Sequence, residues 1–285
     1  MNINKVSPHK YKYLQIIDTI DKSPEKLYFI GKLPAGRQPT VAIVGSRRPT
    51  AYGKEVTYRI ANDLASRGII IVSGMALGVD AIAHRAAMDA GGITLAVLAN
   101  SVDIVYPANH KQLATDIVKN GGAIISEYEP VTQARDFQFL ERNRIVSGLS
   151  DAVIVTEAAA RSGTLSTVMH ALGQGREVFV VPGNITSPLS VGCNNLIKQG
   201  AHPITCAEDV IEIIAPDMLR PQASLALGSN PSESKIIELL LSGIRDGDEL
   251  QTLAEINASE FSTALTMLEI SGTIRPLGGN QWTLR

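Results

Sequence analysis

Apolar residues fall along this chain in short runs, each closed by glycine or a polar turn and followed by a stretch of helical spacing. The runs lie at 41–44, 69–72, 94–98, 123–126, 152–156 and 178–181. A run of this length reads as a strand buried on both faces of a parallel sheet. Between the runs the spacing predicts helices. One spans 52–67, where Val56, Ile60 and Leu64 recur every four residues, and others cover 79–90, 109–119, 140–147, 164–174 and 207–214. Gly91-Gly92, Gly121-Gly122 and Gly175 stand where three of these helices would stop. Strands alternating with such helices predict an α/β fold with a doubly wound, mainly parallel sheet. Ligands of these sheets sit beyond the carboxyl ends of the strands.

The rhythm breaks at both ends. Residues 1–40 offer one short helix near 10–20 and a Tyr28-Phe29-Ile30-Gly31 stretch, which predicts an arm packed on a main domain at 41–214. Residues 215–233 hold Pro216, Pro221, Pro231 and a Gly-Ser-Asn run, and read as a linker. From 234 to 285 the pattern predicts three helices, the second preceded by Asp248 and the third capped by Ser259. A two-stranded ribbon around Gly278-Gly279 follows, which completes a small winged-helix-like domain.

Composition narrows the function classes. With 45% hydrophobic and 19% charged residues the chain is an ordinary globular sequence. No apolar run approaches the roughly 20 residues that span a bilayer, and residues 1–12 lack the apolar core of a secretory signal. The two cysteines, Cys193 and Cys206, make neither a disulfide framework nor a zinc site, so a reducing cytoplasm is expected and no metal or cofactor. Net charge is −2, so any polyanion must be met by a local patch. Residues 1–40 carry seven Lys/Arg against three Asp/Glu, whereas residues 234–285 carry four against seven.

The chemistry collects in the turns after the strands. The first strand runs into Gly45-Ser46-Arg47, the second into Ser73-Gly74 and onward to Asp80. The fifth is followed by Arg161-Ser162-Gly163-Thr164, which opens a helix. Glycines let backbone N–H groups approach an anion, and a helix N-terminus adds partial positive charge. Taken singly, each fits a helix cap or a solvated arginine; their repetition at several strand ends predicts a phosphate-binding rim. The dinucleotide G-x-G-x-x-G and the ATP-binding G-x-x-x-x-G-K-[ST] are both absent, as are G-x-S-x-G and H-E-x-x-H. Asp80 and His84 share a helix face and could form an acid–base pair; a capping Asp80 and a core His84 are the favoured reading. Glu157, just past a strand end, could act as a base but has no evident nucleophile. Phe139-Leu-Glu-Arg142-Asn143-Arg144 sets an aromatic beside two arginines, the pairing that holds single-stranded nucleic acid by stacking and phosphate contact.

These stretches, taken in order, resemble the bacterial DNA-processing protein A (DprA/Smf) family. The resemblance rests on Val41-Ala-Ile-Val-Gly-Ser-Arg47 with Tyr52-Gly53, on the segment from Ser73 to His84, and on Val105-Tyr-Pro107. It continues through 139–149, 161–167, 175–183 and 192–201. It implies an extended Rossmann-like fold and a dimer that binds single-stranded DNA in natural transformation. Such a protein protects the strand, helps load the RecA recombinase and performs no covalent chemistry. Carried onto this sequence, Arg47 is the main phosphate contact and Gly45 and Ser46 shape its pocket. Phe139 gives a stacking face, with Arg142, Asn143, Arg144, Ser162, Gly163, Thr164 and Lys198 around the rim. So many cations predict a steep salt dependence. Departures from the family pattern are Leu77 in place of arginine, Leu140 in place of proline, Cys193 in place of a small hydroxyl residue, a changed turn at 99–101, and Asp136 just ahead of Phe139. A short basic arm stands where longer relatives carry a helical domain.

Two other functions compete. A Rossmann-like nucleotide phosphoribohydrolase of the lysine-decarboxylase-like type needs a helical glutamate after its glycine-rich loop, and Ser162-Gly-Thr-Leu-Ser-Thr167 offers none. A duplex-specific regulator would need a basic winged helix. The acidic balance of 234–285 instead predicts a protein-docking module.

Overall fold

The computed structural model describes residues 2–219 and 230–284, and the chain divides into two compact units, Met1–Met218 and Leu219–Arg285. The first contains strands β1 (Asn4–Val6), β2 (Leu27–Gly31), β3 (Thr40–Val44), β4 (Ile70–Ser73), β5 (Thr94–Val97), β6 (Ala123–Ser126), β7 (Ala152–Val155), β8 (Glu177–Val180) and β9 (His202–Pro203). Its helices are α1 (Ala51–Ser66), α2 (Val79–Asp89), α3 (Lys111–Lys119), α4 (Asp136–Gly148), α5 (Thr164–Gly173), α6 (Val191–Lys198) and α7 (Glu208–Ile214). Among the described residues the strands form one sheet in the order β1-β2-β6-β5-β4-β3-β7-β8-β9. From β6 to β9 every pairing is parallel, while β1 and β2 close one edge antiparallel.

Period-two alternation divides the core between the two faces. In β5, Leu95 and Val97 pack into one cluster and Ala96 into the other; in β6, Ala123 and Ile125 part from Ile124 in the same way. All five residues of β3 are buried, as a strand covered on both faces requires. The chain leaves β3 toward β4 on one side and later returns to β7 on the other. The order therefore reverses between β3 and β7, and a crevice opens there at the strand ends.

Residues 1–40 are more than an arm. Tyr13, Leu14, Ile17 and Leu27 are fully buried in the core that holds Ile145 of α4 and Leu149 just beyond it. The predicted helix near 10–20 is instead two short 3-10 turns, Pro8–Lys10 and Gln15–Thr19. The reason lies in the edge: β6 would present unpaired backbone groups without β2, and pairing Tyr28 with Ser126 through Gly31 with Ala123 satisfies them. Of the predicted linker, residues 220–229 lie outside the described residues. Its start contains a 3-10 turn (Pro216–Met218), and its end already belongs to the next helix.

The second unit consists of α8 (Pro231–Leu241), α9 (Gly247–Ala254), α10 (Ala258–Ile270) and a hairpin of β10 (Ile274–Gly278) with β11 (Gln281–Leu284). Ile236, Ile237, Leu240, Leu250, Phe261, Leu265, Leu268 and Ile274 form its core. The helix caps lie two residues upstream of the sequence expectation. Asp246 accepts the Asp248 N–H at 3.0 Å, and Asn257 accepts the Glu260 N–H at 3.0 Å. Asp248 and Ser259 are already helical, where a short side chain cannot reach a free amide of the first turn.

Candidate nucleic-acid interface

Three loops converge on the crevice. At Gly45 an added Cβ would lie 2.8 Å from Val79 Cγ2 and 2.9 Å from the Glu157 carbonyl oxygen, so only glycine lets β3 turn there. Ser46 N–H donates to the Glu157 carbonyl at 2.8 Å, and its own carbonyl accepts Val79 N–H at 3.1 Å. With Ser46 pinned at both its amide and its carbonyl, Arg47 is exposed to solvent, its guanidinium 5.8 Å from the Phe139 ring centre. Gly78 has φ +78°, and a Cβ there would meet the Ser46 carbonyl at 2.4 Å. The second loop is thus locked against the first.

Inside that second loop, Asp80 Oδ2 accepts the N–H groups of Gly74 and Ala76, each at 3.1 Å. Arg142 reaches in from α4 and donates Nη1 to the Gly74 carbonyl at 2.6 Å and to the Val97 carbonyl. Burial pulls Arg142 below the ordinary guanidinium range and lifts Asp80 above the ordinary carboxyl range; the charge of each opposes the other's shift. The third loop caps α5: Thr164 N–H donates to Ser162 Oγ at 3.2 Å, and Thr164 Oγ1 donates to the Gly45 carbonyl at 3.1 Å. The result is a cleft of about 440 Å³ at the sheet's switch point, lined by Gly45, Arg47, Phe139, Asn143, Arg161, Ser162, Gly163 and Thr164 among others.

The cleft brings together most of the expected residues, but three cations behave differently. Arg142 lines it yet is 5% exposed, and its guanidinium is committed to two carbonyls, so it is a strut and not a free phosphate ligand. Arg144 projects from another face of α4 and pairs with Glu127 at 2.5 Å, away from the cleft lining. Lys198, in the last turn of α6, is exposed and does not line the cleft either. Helical geometry explains Arg144 alone: residues 139, 142 and 143 share a face of α4, and 144 is rotated away from it. Ser46 shapes the turn from behind. Two residues were missed as site residues, Arg161 on the cleft wall and Tyr106, whose ring lies 5.6 Å from that of Phe139. The signal was present in both cases, since each belongs to a motif that carried the family resemblance.

The other candidate acid–base groups are structural. Glu157 takes hydrogen bonds from the Thr50 hydroxyl at 2.5 Å and the Thr50 N–H at 3.2 Å, which fixes the start of α1. His84 Nδ1 pairs with Thr94 Oγ1 at 2.6 Å, and burial holds its pKa down at about 3. Among the described residues no group of three or more His, Cys, Asp or Glu side chains is placed to hold a metal ion, and no helix is long and apolar enough to cross a membrane.

Fold and cleft together define a protein with a Rossmann-like unit, whose switch-point crevice is lined by Arg47 and Arg161, and a winged-helix domain in the same chain. The chain belongs to the DNA recombination-mediator protein A family, whose model matches residues 4–215, and residues 220–280 match the DprA winged helix domain. Over 281 residues it is 37% identical to Protein Smf of Escherichia coli (strain K12), spanning 95% of this chain and 74% of that one. Over 213 residues it is 40% identical to DNA processing protein DprA of Bacillus subtilis, 74% of this chain and 71% of the relative. The solved structure of DprA from Streptococcus pneumoniae matches with a TM-score of 0.69 at 36% identity, covering 75% of each chain. DNA processing protein A from Helicobacter pylori, described for its single-stranded DNA binding mode, matches with a TM-score of 0.67 at 34% identity. That match covers 76% of this chain and 97% of the other.

Proposed function

We propose that this protein binds single-stranded DNA in the cleft, as a non-enzymatic component of DNA processing in natural transformation that shields the incoming strand and helps load the RecA recombinase. It works as a homodimer in the cytoplasm, and its acidic winged-helix domain docks a protein partner and not duplex DNA. The observation that carries the reading is Arg47, which leaves a pinned turn and lies over Phe139 in a cleft that Arg161 also lines. A cation above an aromatic face suits a strand that offers alternating phosphates and bases. The non-enzymatic reading is supported by the carboxylates: Asp80 on the cleft wall is bound to two backbone amides, and Glu157 holds a helix start.

Fluorescence anisotropy with a labelled oligo-dT tests this reading. The intact chain binds, and Arg47→Ala weakens binding at least about tenfold, the loss of one charge-assisted hydrogen bond to phosphate. Equal affinity in wild type and variant would remove Arg47 from the site. Release of free base from nucleoside monophosphates would replace the binding function with hydrolysis.

A further inference from the structure

Sequence alone puts four basic side chains on the cleft, Arg47, Arg142, Arg144 and Lys198, but among the described residues the geometry leaves only Arg47 of these free to meet phosphate there and adds Arg161. Arg142 is spent on backbone carbonyls beside Asp80, Arg144 on Glu127, and Lys198 lies off the lining. Arg47 and Arg161 remain, both exposed, and Arg161 makes no hydrogen bond or ion pair with another described residue. What replaces the missing charge is planar and apolar surface. The Phe139 ring is the common neighbour of two planar groups, the Tyr106 ring with its centre 5.6 Å away and tilted by 56°, and the Arg47 guanidinium 5.8 Å from the ring centre. Tyr106 is 52% exposed and Leu140, which lines the cleft, is 52% exposed. Leu77 is 45% exposed and sits between Ala76 on the cleft wall and Gly78, which is packed on the Ser46–Arg47 turn. Leu140 lines the cleft itself, while Tyr106 adjoins it through the lining residue Phe139 and Leu77 through its chain neighbour Ala76; exposed apolar side chains gathered beside a cleft mark it for a ligand with apolar faces.

Building on the single-strand reading, we infer that this cleft holds its strand chiefly by the bases: Tyr106 extends Phe139 and Arg47 into a stacking platform flanked by Leu77 and Leu140, and only Arg47 and Arg161 answer phosphates. Binding is therefore base-dependent and tolerant of salt. For a single strand the slope of log affinity against log salt is about −0.7 per phosphate contact, so two contacts cost only about sevenfold between 50 and 200 mM salt. The four expected from the sequence would cost about fiftyfold.

The experiment compares oligo-dT with an abasic oligonucleotide of the same length across that salt range, using the full chain, Tyr106→Leu and Leu77→Arg. A shallow slope for oligo-dT, at least about fivefold weaker binding of the abasic strand, and a similar loss in Tyr106→Leu support the inference. Leu77→Arg, an exposed change that leaves the core alone, then steepens the slope by about 0.7. A steep wild-type slope with equal affinity for the two strands overturns base-dominated holding while single-strand binding stands. Failure of both strands to bind at any salt overturns the function itself.

Discussion

A residue's charge in the sequence does not tell where that charge is used. Arg47 and Arg142 look alike as loop and helix arginines in a nucleic-acid motif, yet one is exposed and the other is 5% exposed. The difference comes from Gly74: a Cβ there would lie 2.5 Å from the Arg142 guanidinium, so that glycine opens a slot into which the arginine fits. Removing Arg142 strips hydrogen bonds from the Gly74 and Val97 carbonyls and leaves buried Asp80 without an opposing charge. Arg142→Ala therefore costs about 3 kcal/mol of stability, whereas Arg47→Ala stays within about 0.5 kcal/mol. Urea denaturation of both variants reads this directly, and comparable midpoints would refute the strut. The turns themselves were legible, because Gly45 and Gly78 mark close approaches that a sequence advertises through glycine. The destination of each arginine was not legible, since it depends on carbonyls that come from β4 and β5 only after folding.

At the scale of elements, buried parallel strands declare themselves through unbroken apolar runs, and β3 to β8 lie within a residue or two of the expected positions. The helix α4 is harder: buried Gln138 and Arg142 interrupt its apolar face, and it begins at Asp136, where Arg135 N–H donates to Gln138 Oε1 at 2.6 Å. Strand β1, Asn-Lys-Val, carries no apolar run, and the run Leu27-Tyr-Phe-Ile30 of β2 stands outside the strand–helix rhythm, so neither declares itself as an edge strand. The contact between α2 and β5 yields a pH prediction. His84 is neutral in the fold, held down to a pKa of about 3 chiefly by burial, and returns to its ordinary value on unfolding. Below about pH 6.5 the unfolded chain takes up a proton that the folded chain refuses, so stability falls with falling pH in this window, by up to about 1.4 kcal/mol per pH unit. Between pH 7 and 5 the wild type loses about 2 kcal/mol more than His84→Gln. Parallel losses in urea titrations of the two proteins would show that His84 titrates normally in the fold.

For the whole molecule, the division into an α/β unit and a winged-helix unit was legible from proline and glycine placement and from the change in apolar period. The inclusion of residues 1–40 in the α/β unit was not, because their basic composition hides Tyr13, Leu14 and Ile17, which are fully buried. On the proposed reading the strand binds the first unit. The second carries an acidic balance, four Lys/Arg against seven Asp/Glu over residues 234–285, which repels phosphates. Photocrosslinking of a bromodeoxyuridine-containing oligonucleotide to the full chain, followed by peptide mass spectrometry, tests the assignment most directly. Crosslinks confined to the peptides that carry Tyr106 and Phe139 are the predicted result; crosslinks concentrated in residues 234–285, with none near the cleft, would contradict it.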